Sequence, residues 1–244
     1  MLGANATARA AYSHGVPDDD SPNDDWPNDD WPNDDWLVRG STSTDDVRRY
    51  YDDQAATYDE TLDSWGYDAP THVAALAMAA LPDAGRIESS VLDAGCGTGL
   101  AGQALRDAGF AGRLFGIDLS PPSVELATQR GVYAEVAVGD LQQPLPYEDD
   151  AFDSVVCVGV LTYVPDVAAI WGEFCRVTRP GGVVVLTQRD DVWRERGCDG
   201  VLHDFEQTGR WTVFHLSPPA SYLPDNADFA GEILVRYLAA RVRR

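Results

Sequence analysis

Three observations predict an α/β fold built on a mostly parallel sheet with helices on both faces. Short apolar runs rich in branched residues alternate with helix-length segments through the middle of the chain, the pattern of strands buried on both sides. A glycine-rich turn, AGCGTG at 94–99, joins the first run to the first such helix. The last two apolar runs have only a loop between them, so they are expected to pair antiparallel at the sheet edge.

The elements follow in order. Residues 43–62 place Val47, Tyr51, Ala55, Tyr58 and Leu62 at helical spacing, with Ser43 and Asp46 at capping-box distance. A second helix follows Pro70 and runs over 71–81 to Pro82. Strands are expected at 90–94, 113–118, 134–138, 152–159 and 181–187. Helices are expected at 100–109 and 122–131, and over 166–182 with Asp166 at its start and glycines at its end. A further helix over 198–209 precedes the last two strands, at 210–217 and 232–242.

Before residue 43 the pattern fails. Residues 1–42 carry PNDDW three times, and nine aspartates oppose two arginines in the first forty positions. Prolines at every fifth position block helix and sheet, and five residues are too few for a stacking repeat. This stretch reads as a disordered acidic tail, and residues 43–244 as one domain. The net charge is −22 and every basic residue is arginine, which disfavours nucleic acid and anionic membranes as partners. The four cysteines lack ligand spacing and read as buried hydrophobes, so no metal is expected. No secretory h-region precedes the domain, and a soluble cytoplasmic protein is expected.

The chemistry concentrates at strand ends. Glycines at 95, 97 and 99 allow a sharp turn and close approach to a ligand. A dinucleotide fingerprint would need glycine where Leu100 stands, and Asp93 before the turn suits a ligand carrying positive charge. Asp118, nineteen residues past Gly99, can accept from both ribose hydroxyls, and Asp140 can accept from the exocyclic amine of adenine.

The segments VLDAGCGTGL, GIDLS, GDLQQPLPYEDDAFDSVVCVGVL and RVTRPGGVVVLT resemble the successive motifs of class I S-adenosylmethionine-dependent methyltransferases over about residues 45–244. YYDDQAATYDETLDSWGY and the C-terminal segment are more loosely similar to the methyltransferase-like family named after the Williams–Beuren deletion region. The resemblance implies a Rossmann-like, seven-stranded, mostly parallel sheet with an antiparallel C-terminal strand and a helical lid over 43–82. It implies S-adenosylmethionine as cofactor and methyl transfer to a small-molecule acceptor. Gly95, Cys96 and Gly97 would line the methionine moiety, with Asp93 supporting its ammonium side. Asp118 would hold the ribose, Leu119 would pack on adenine, and Asp140 with the Leu141 amide would read the adenine edge. Gly159 and Val160 would floor the site near the sulfonium, and Tyr58 would lie over the methionine carboxylate. Tyr163 stands where histidine is common in relatives. No catalytic base is assigned: His72, His203, His215, Tyr133 and Tyr163 each read more simply as packing or surface residues. The alternatives are a cyclisation or decarboxylation on the same scaffold, and a catalytically silent cofactor-binding protein.

Overall fold

The computed structural model describes residues 36–37, 40–81 and 87–243. Among the described residues from 40 onward, three helices come first: α1 (Thr44–Gln54), α2 (Tyr58–Ser64) and α3 (Ala69–Ala80). The expected cap is formed, with the Ser43 hydroxyl accepting from Asp46 N–H at 3.4 Å. Pro70 lies inside the first turn of α3, where its missing N–H costs nothing.

Alternation then sets in: β1 (Ser90–Ala94), α4 (Leu100–Asp107), β2 (Arg113–Asp118), α5 (Pro121–Gln129), β3 (Glu135–Val138), β4 (Phe152–Cys157) and α6 (Val167–Val177). β5 (Thr178–Arg189), α7 (Asp190–Glu195), α8 (Cys198–Gln207), β6 (Trp211–Leu216), β7 (Ala220–Ser221) and β8 (Leu234–Val242) complete the chain. The sheet order is β3-β2-β1-β4-β5-β8-β6, with β7 on the side of β8. Strands β1 to β5 are parallel, and β8 runs antiparallel to both of its long neighbours.

Side chains alternate across this sheet as period two requires. Leu92, Val155, Val184, Leu186 and Leu238 face the layer of α6 and α8, while Val91, Val156, Val183, Val185 and Ala239 face α3 and α4. On the first side Trp171 is fully buried with its ring centroid 5.1 Å from Trp211 and 5.9 Å from Trp193. These indoles pack the core, and none of the three lines the cavity described below.

Three local differences from expectation have physical causes. Helix α6 stops at Val177, because Pro180 forbids further turns and pushes the preceding residues to extended backbone. β5 therefore starts at Thr178, and a register shift against β4 between Phe152 and Ser154 absorbs the extra residues. β7 adds a strand to the seven expected; two residues bounded by prolines carry no readable alternation. The third difference is at the N-terminal side. Trp36, expected in the tail, is only 3% exposed, and its ring stacks on Tyr50 at 4.1 Å. Residues 1–35 lie outside the described residues, so the expectation for the first two repeats is not addressed by the fold. Among the described residues no helix is long and apolar enough to cross a membrane.

Trp171→Ala is expected to lower the unfolding free energy by about 3–5 kcal/mol in urea titration. A loss under about 1 kcal/mol would contradict the burial described here.

Candidate active site

The parallel strands β1, β2, β3 and β4 deliver their following loops to one edge, and a cavity of about 960 Å³ lies there. Its floor is the turn between β1 and α4. Gly95 and Cys96 N–H both donate to the Ile117 carbonyl, at 2.8 and 3.1 Å, which seats the turn on the end of β2. Gly97 N–H donates to Asp118 Oδ2 at 2.7 Å. Gly97 has φ +52°, and nothing lies within 4 Å of where a Cβ would stand, so its backbone is bare on the open side. All three of these turn residues line the cavity.

Asp118 and Leu119 line it from the end of β2, Asp140 and Leu141 from beyond β3, and Gly159 and Val160 from beyond β4. Asp118 Oδ1 accepts from Ser120 N–H at 2.9 Å. Burial raises the Asp118 pKa, and main-chain donors at Ser120, Gly97 and Leu119 pull against that rise. With these three donors the carboxylate keeps acceptor capacity for a further one. Asp140 accepts from Gln142 N–H at 2.8 Å and from the Thr44 hydroxyl at 3.0 Å, which ties the start of α1 to this edge.

Asp93 is the exception among the expected residues. It is fully buried beneath the turn and does not line the cavity. Tyr133 fills the space there and donates to Asp93 Oδ2 at 2.6 Å. Burial pushes the carboxyl up to about 7, against the opposing hydrogen bond from Tyr133.

The opposite wall is made of phenols. Tyr58, expected as a lid residue, lines the cavity together with Tyr51, Tyr67 and Tyr163. Tyr51 donates to the Tyr163 hydroxyl at 2.8 Å. The Tyr67 and Tyr222 hydroxyls lie 3.1 Å apart above Gly159, where a Cβ would come within 2.7 Å of Tyr222 and 3.0 Å of Tyr67. Glycine at 159, with φ +77°, is thus required by both backbone and space. Burial raises the pKa of Tyr51, Tyr58, Tyr67, Tyr163 and Tyr222, so the wall presents neutral hydrogen-bonding groups rather than bases. His72, His203 and His215 lie away from the cavity, and Tyr133 is spent on Asp93.

In the sequence Tyr51 reads as one position in the aromatic stripe of an amphipathic helix, and Tyr67 and Tyr222 carry no signal of their own. Nor does the latch beside Tyr58: Asp59 accepts from the Thr98 hydroxyl at 2.5 Å and pairs with Arg130, which also donates to the Thr98 carbonyl at 2.5 Å. One residue of α2 faces the cavity while the next grips its glycine turn.

Comparison with known proteins agrees with this geometry. Residues 92–186 match the family model described as a methyltransferase domain. Methyltransferase-like protein 27 of Homo sapiens is 35% identical over 187 residues, covering 72% of this chain and 74% of that protein. The chain belongs to the class I S-adenosylmethionine-dependent methyltransferases. Its cofactor is S-adenosylmethionine. The methyltransferase is also 35% identical to the malonyl-[acyl-carrier protein] O-methyltransferase of Serratia marcescens over 121 residues, 46% of each chain. Two solved structures share its fold. One is a methyltransferase in complex with the Haloferax volcanii Trm112 activator, with TM-score 0.60 and 22% identity over 81% of this chain and 98% of that one. The other is the [4+2]-cyclase SpnF, with TM-score 0.60 and 20% identity over 83% and 98%.

The buried Asp93 gives a pH signature. An unfolded aspartate loses its proton near 3.8, whereas the folded one holds it to about 7. The folded state therefore binds more protons between those values, and stability falls as pH rises through that window. In cofactor-free protein, Asp93→Asn should gain stability relative to the parent from pH 4 to pH 7, with the gap constant above pH 7. A gap independent of pH in denaturant titrations would contradict the burial.

Proposed function

We propose that this methyltransferase transfers the methyl group to a small-molecule acceptor by in-line displacement. The observation that carries this reading is the tyrosine wall opposite the glycine turn, with the Tyr67–Tyr222 hydroxyl pair poised above Gly159. Such a recess suits a compact acceptor that enters to meet a methyl group, rather than a macromolecular surface. The net charge of −22 also opposes a nucleic-acid acceptor, whose phosphates it would repel.

The residues present fit the cofactor. The bare backbone at Gly97 is a cradle that any Cβ would fill, and it lies beside Asp118. In this reading Asp118 accepts from the ribose hydroxyls, Leu119 packs on the adenine face, and Asp140 with Leu141 N–H reads the adenine edge. Gly95, Cys96 and Gly97 cradle the methionine portion, Gly159 and Val160 floor the reacting end, and Tyr58 covers its carboxylate. Asp93 acts from beneath: its Oδ1 has no hydrogen-bond partner among the described residues, which leaves acceptor capacity under the turn for the ammonium side. When bound, the sulfonium supplies an activated methyl group and its own leaving group, so proximity and alignment carry most of the rate.

The chain's own contribution is therefore positioning. Tyr67 and Tyr222 offer neutral hydroxyls that can orient an acceptor, and among the described residues no histidine lines the cavity. This arrangement favours acceptors whose attacking atom carries a free lone pair at working pH. Relatives named for 2-methyl-6-phytyl-1,4-hydroquinone and ubiquinone biosynthesis lend support to a small acceptor. A relative named for 18S rRNA guanine methylation is matched over only 26% of its length.

Methyl-labelled S-adenosylmethionine incubated with separate metabolite, RNA and protein fractions tests the proposal. Label is expected in the metabolite fraction, in a product one methyl group heavier than its precursor. Label confined to RNA or protein would overturn it, and so would cofactor-dependent product formation without label transfer.

A further inference from the structure

We propose that Trp36, the tryptophan of the third PNDDW copy, is a positioning residue that clasps the lid over the cofactor cavity. Its ring, with the strap formed by the described residues 36–37 and 40–44, would then set how fast cofactor and product leave. The inference rests on the assignment of this cavity to the cofactor.

The Trp36 indole touches both sides of the closure. It stacks on Tyr50 of α1 at 4.1 Å and 16°, and on Tyr163 of the turn after β4 at 5.8 Å and 22°. Tyr50 belongs to the lid and Tyr163 to the body, so lifting α1 must part at least one of these stacks. Behind the indole stand the rings that line the cavity. The Tyr163 hydroxyl receives the Tyr51 hydrogen bond at 2.8 Å, and Tyr51 meets Tyr58 edge-on at 5.9 Å. Trp36 does not line the cavity itself; it fixes the tyrosines that do.

The neighbouring residues anchor the strap at both ends of the same sheet edge. The Leu37 carbonyl accepts from Arg189 at the end of β5, whose side chain is 12% exposed and also grips Asp191. The Leu37 side chain packs with Tyr58, Tyr67 and Tyr222 in one apolar cluster. Gly40 N–H donates to the Trp36 carbonyl at 2.9 Å, and a Cβ at Gly40 would lie 3.4 Å from the Tyr163 ring. Gly40 therefore lies in contact range of that ring. On the far side Gln142 donates to the Thr42 carbonyl at 2.9 Å, and Thr44 bonds Asp140, the proposed adenine reader. Leu37, Thr42 and Thr44 thus make contacts at the end of β5 and in the loop after β3. The strap's contacts fall on the residues that wall the cavity rather than on a remote surface.

Stacked aromatic pairs add stability beyond their buried area, so removal of the indole should loosen the closed state while leaving the sheet intact. The test uses the full chain and stopped-flow displacement of S-adenosylhomocysteine, with melting temperature as the check on folding. Trp36→Ala is expected to speed release by about tenfold, equivalent to ~1.4 kcal/mol. Trp36→Phe, which keeps a stacking ring, should restore release to within about threefold of the parent. Trp31→Ala, at the matching position of the second PNDDW copy, should release at the parental rate. Unchanged release by folded Trp36→Ala, or equal acceleration by Trp31→Ala, overturns the clasp. Failure of the parent chain to bind S-adenosylhomocysteine overturns the cavity assignment, and the clasp with it. Should Trp36→Ala not fold, hydrogen exchange on the parent decides: ligand is expected to slow the amides of α1, and no slowing overturns the clasp.

Discussion

The hydrogen bond from Gly97 N–H to the Asp118 carboxylate, 2.7 Å long, is the contact on which the site depends. It joins the turn after β1 to the end of β2, and so fixes the glycine backbone at one distance from an acid. Parallel pairing of the two strands, with Asp93 opposite Gly116 and Ala94 opposite Ile117, brings the two ends level. The Ile117 carbonyl then receives two turn amides. The sheet register thereby levels the two strand ends that carry the cavity floor.

Around that floor the molecule separates charge from neutrality. Its acids sit at strand ends or on the surface, while the wall facing them is built of buried phenols whose protons are held more firmly than usual. Neutral hydroxyls can order an acceptor without competing for a proton, which suits a reaction driven by an already activated methyl group. Helices α1 and α2 are held to the floor by their own residues: Asp59 grips Thr98 and Arg130 next to Tyr58, and Thr44 reaches Asp140.

Much of this was legible in the sequence because parallel strands advertise themselves as apolar runs and because turn glycines and strand-end acids have fixed spacing. β1 and β2 fall where expected, and Asp118 and Asp140 come to one cavity. In the sequence Asp93 reads as a carboxylate facing the ammonium side of a ligand; the fold buries it beneath the turn, because its partner Tyr133 lies 40 residues away and carries no local signal. Tyr67 and Tyr222 meet across 155 residues, a distance no periodicity spans. β7 is two residues long, below any repeat of alternation. Trp36 was hidden for the opposite reason: a repeated, acidic, proline-rich setting reads as tail, yet its indole finds Tyr50 and Tyr163 only through the tertiary fold.

The central claim is that the Asp118 carboxylate, held by the turn, is what recognises the cofactor's ribose. Calorimetric titration of S-adenosylhomocysteine into the parent and into Asp118→Ala measures it directly. The account predicts one-site binding by the parent and at least about tenfold weaker binding by the variant, the effect of losing hydrogen bonds to a charged group. Equal affinity in a folded variant would contradict it.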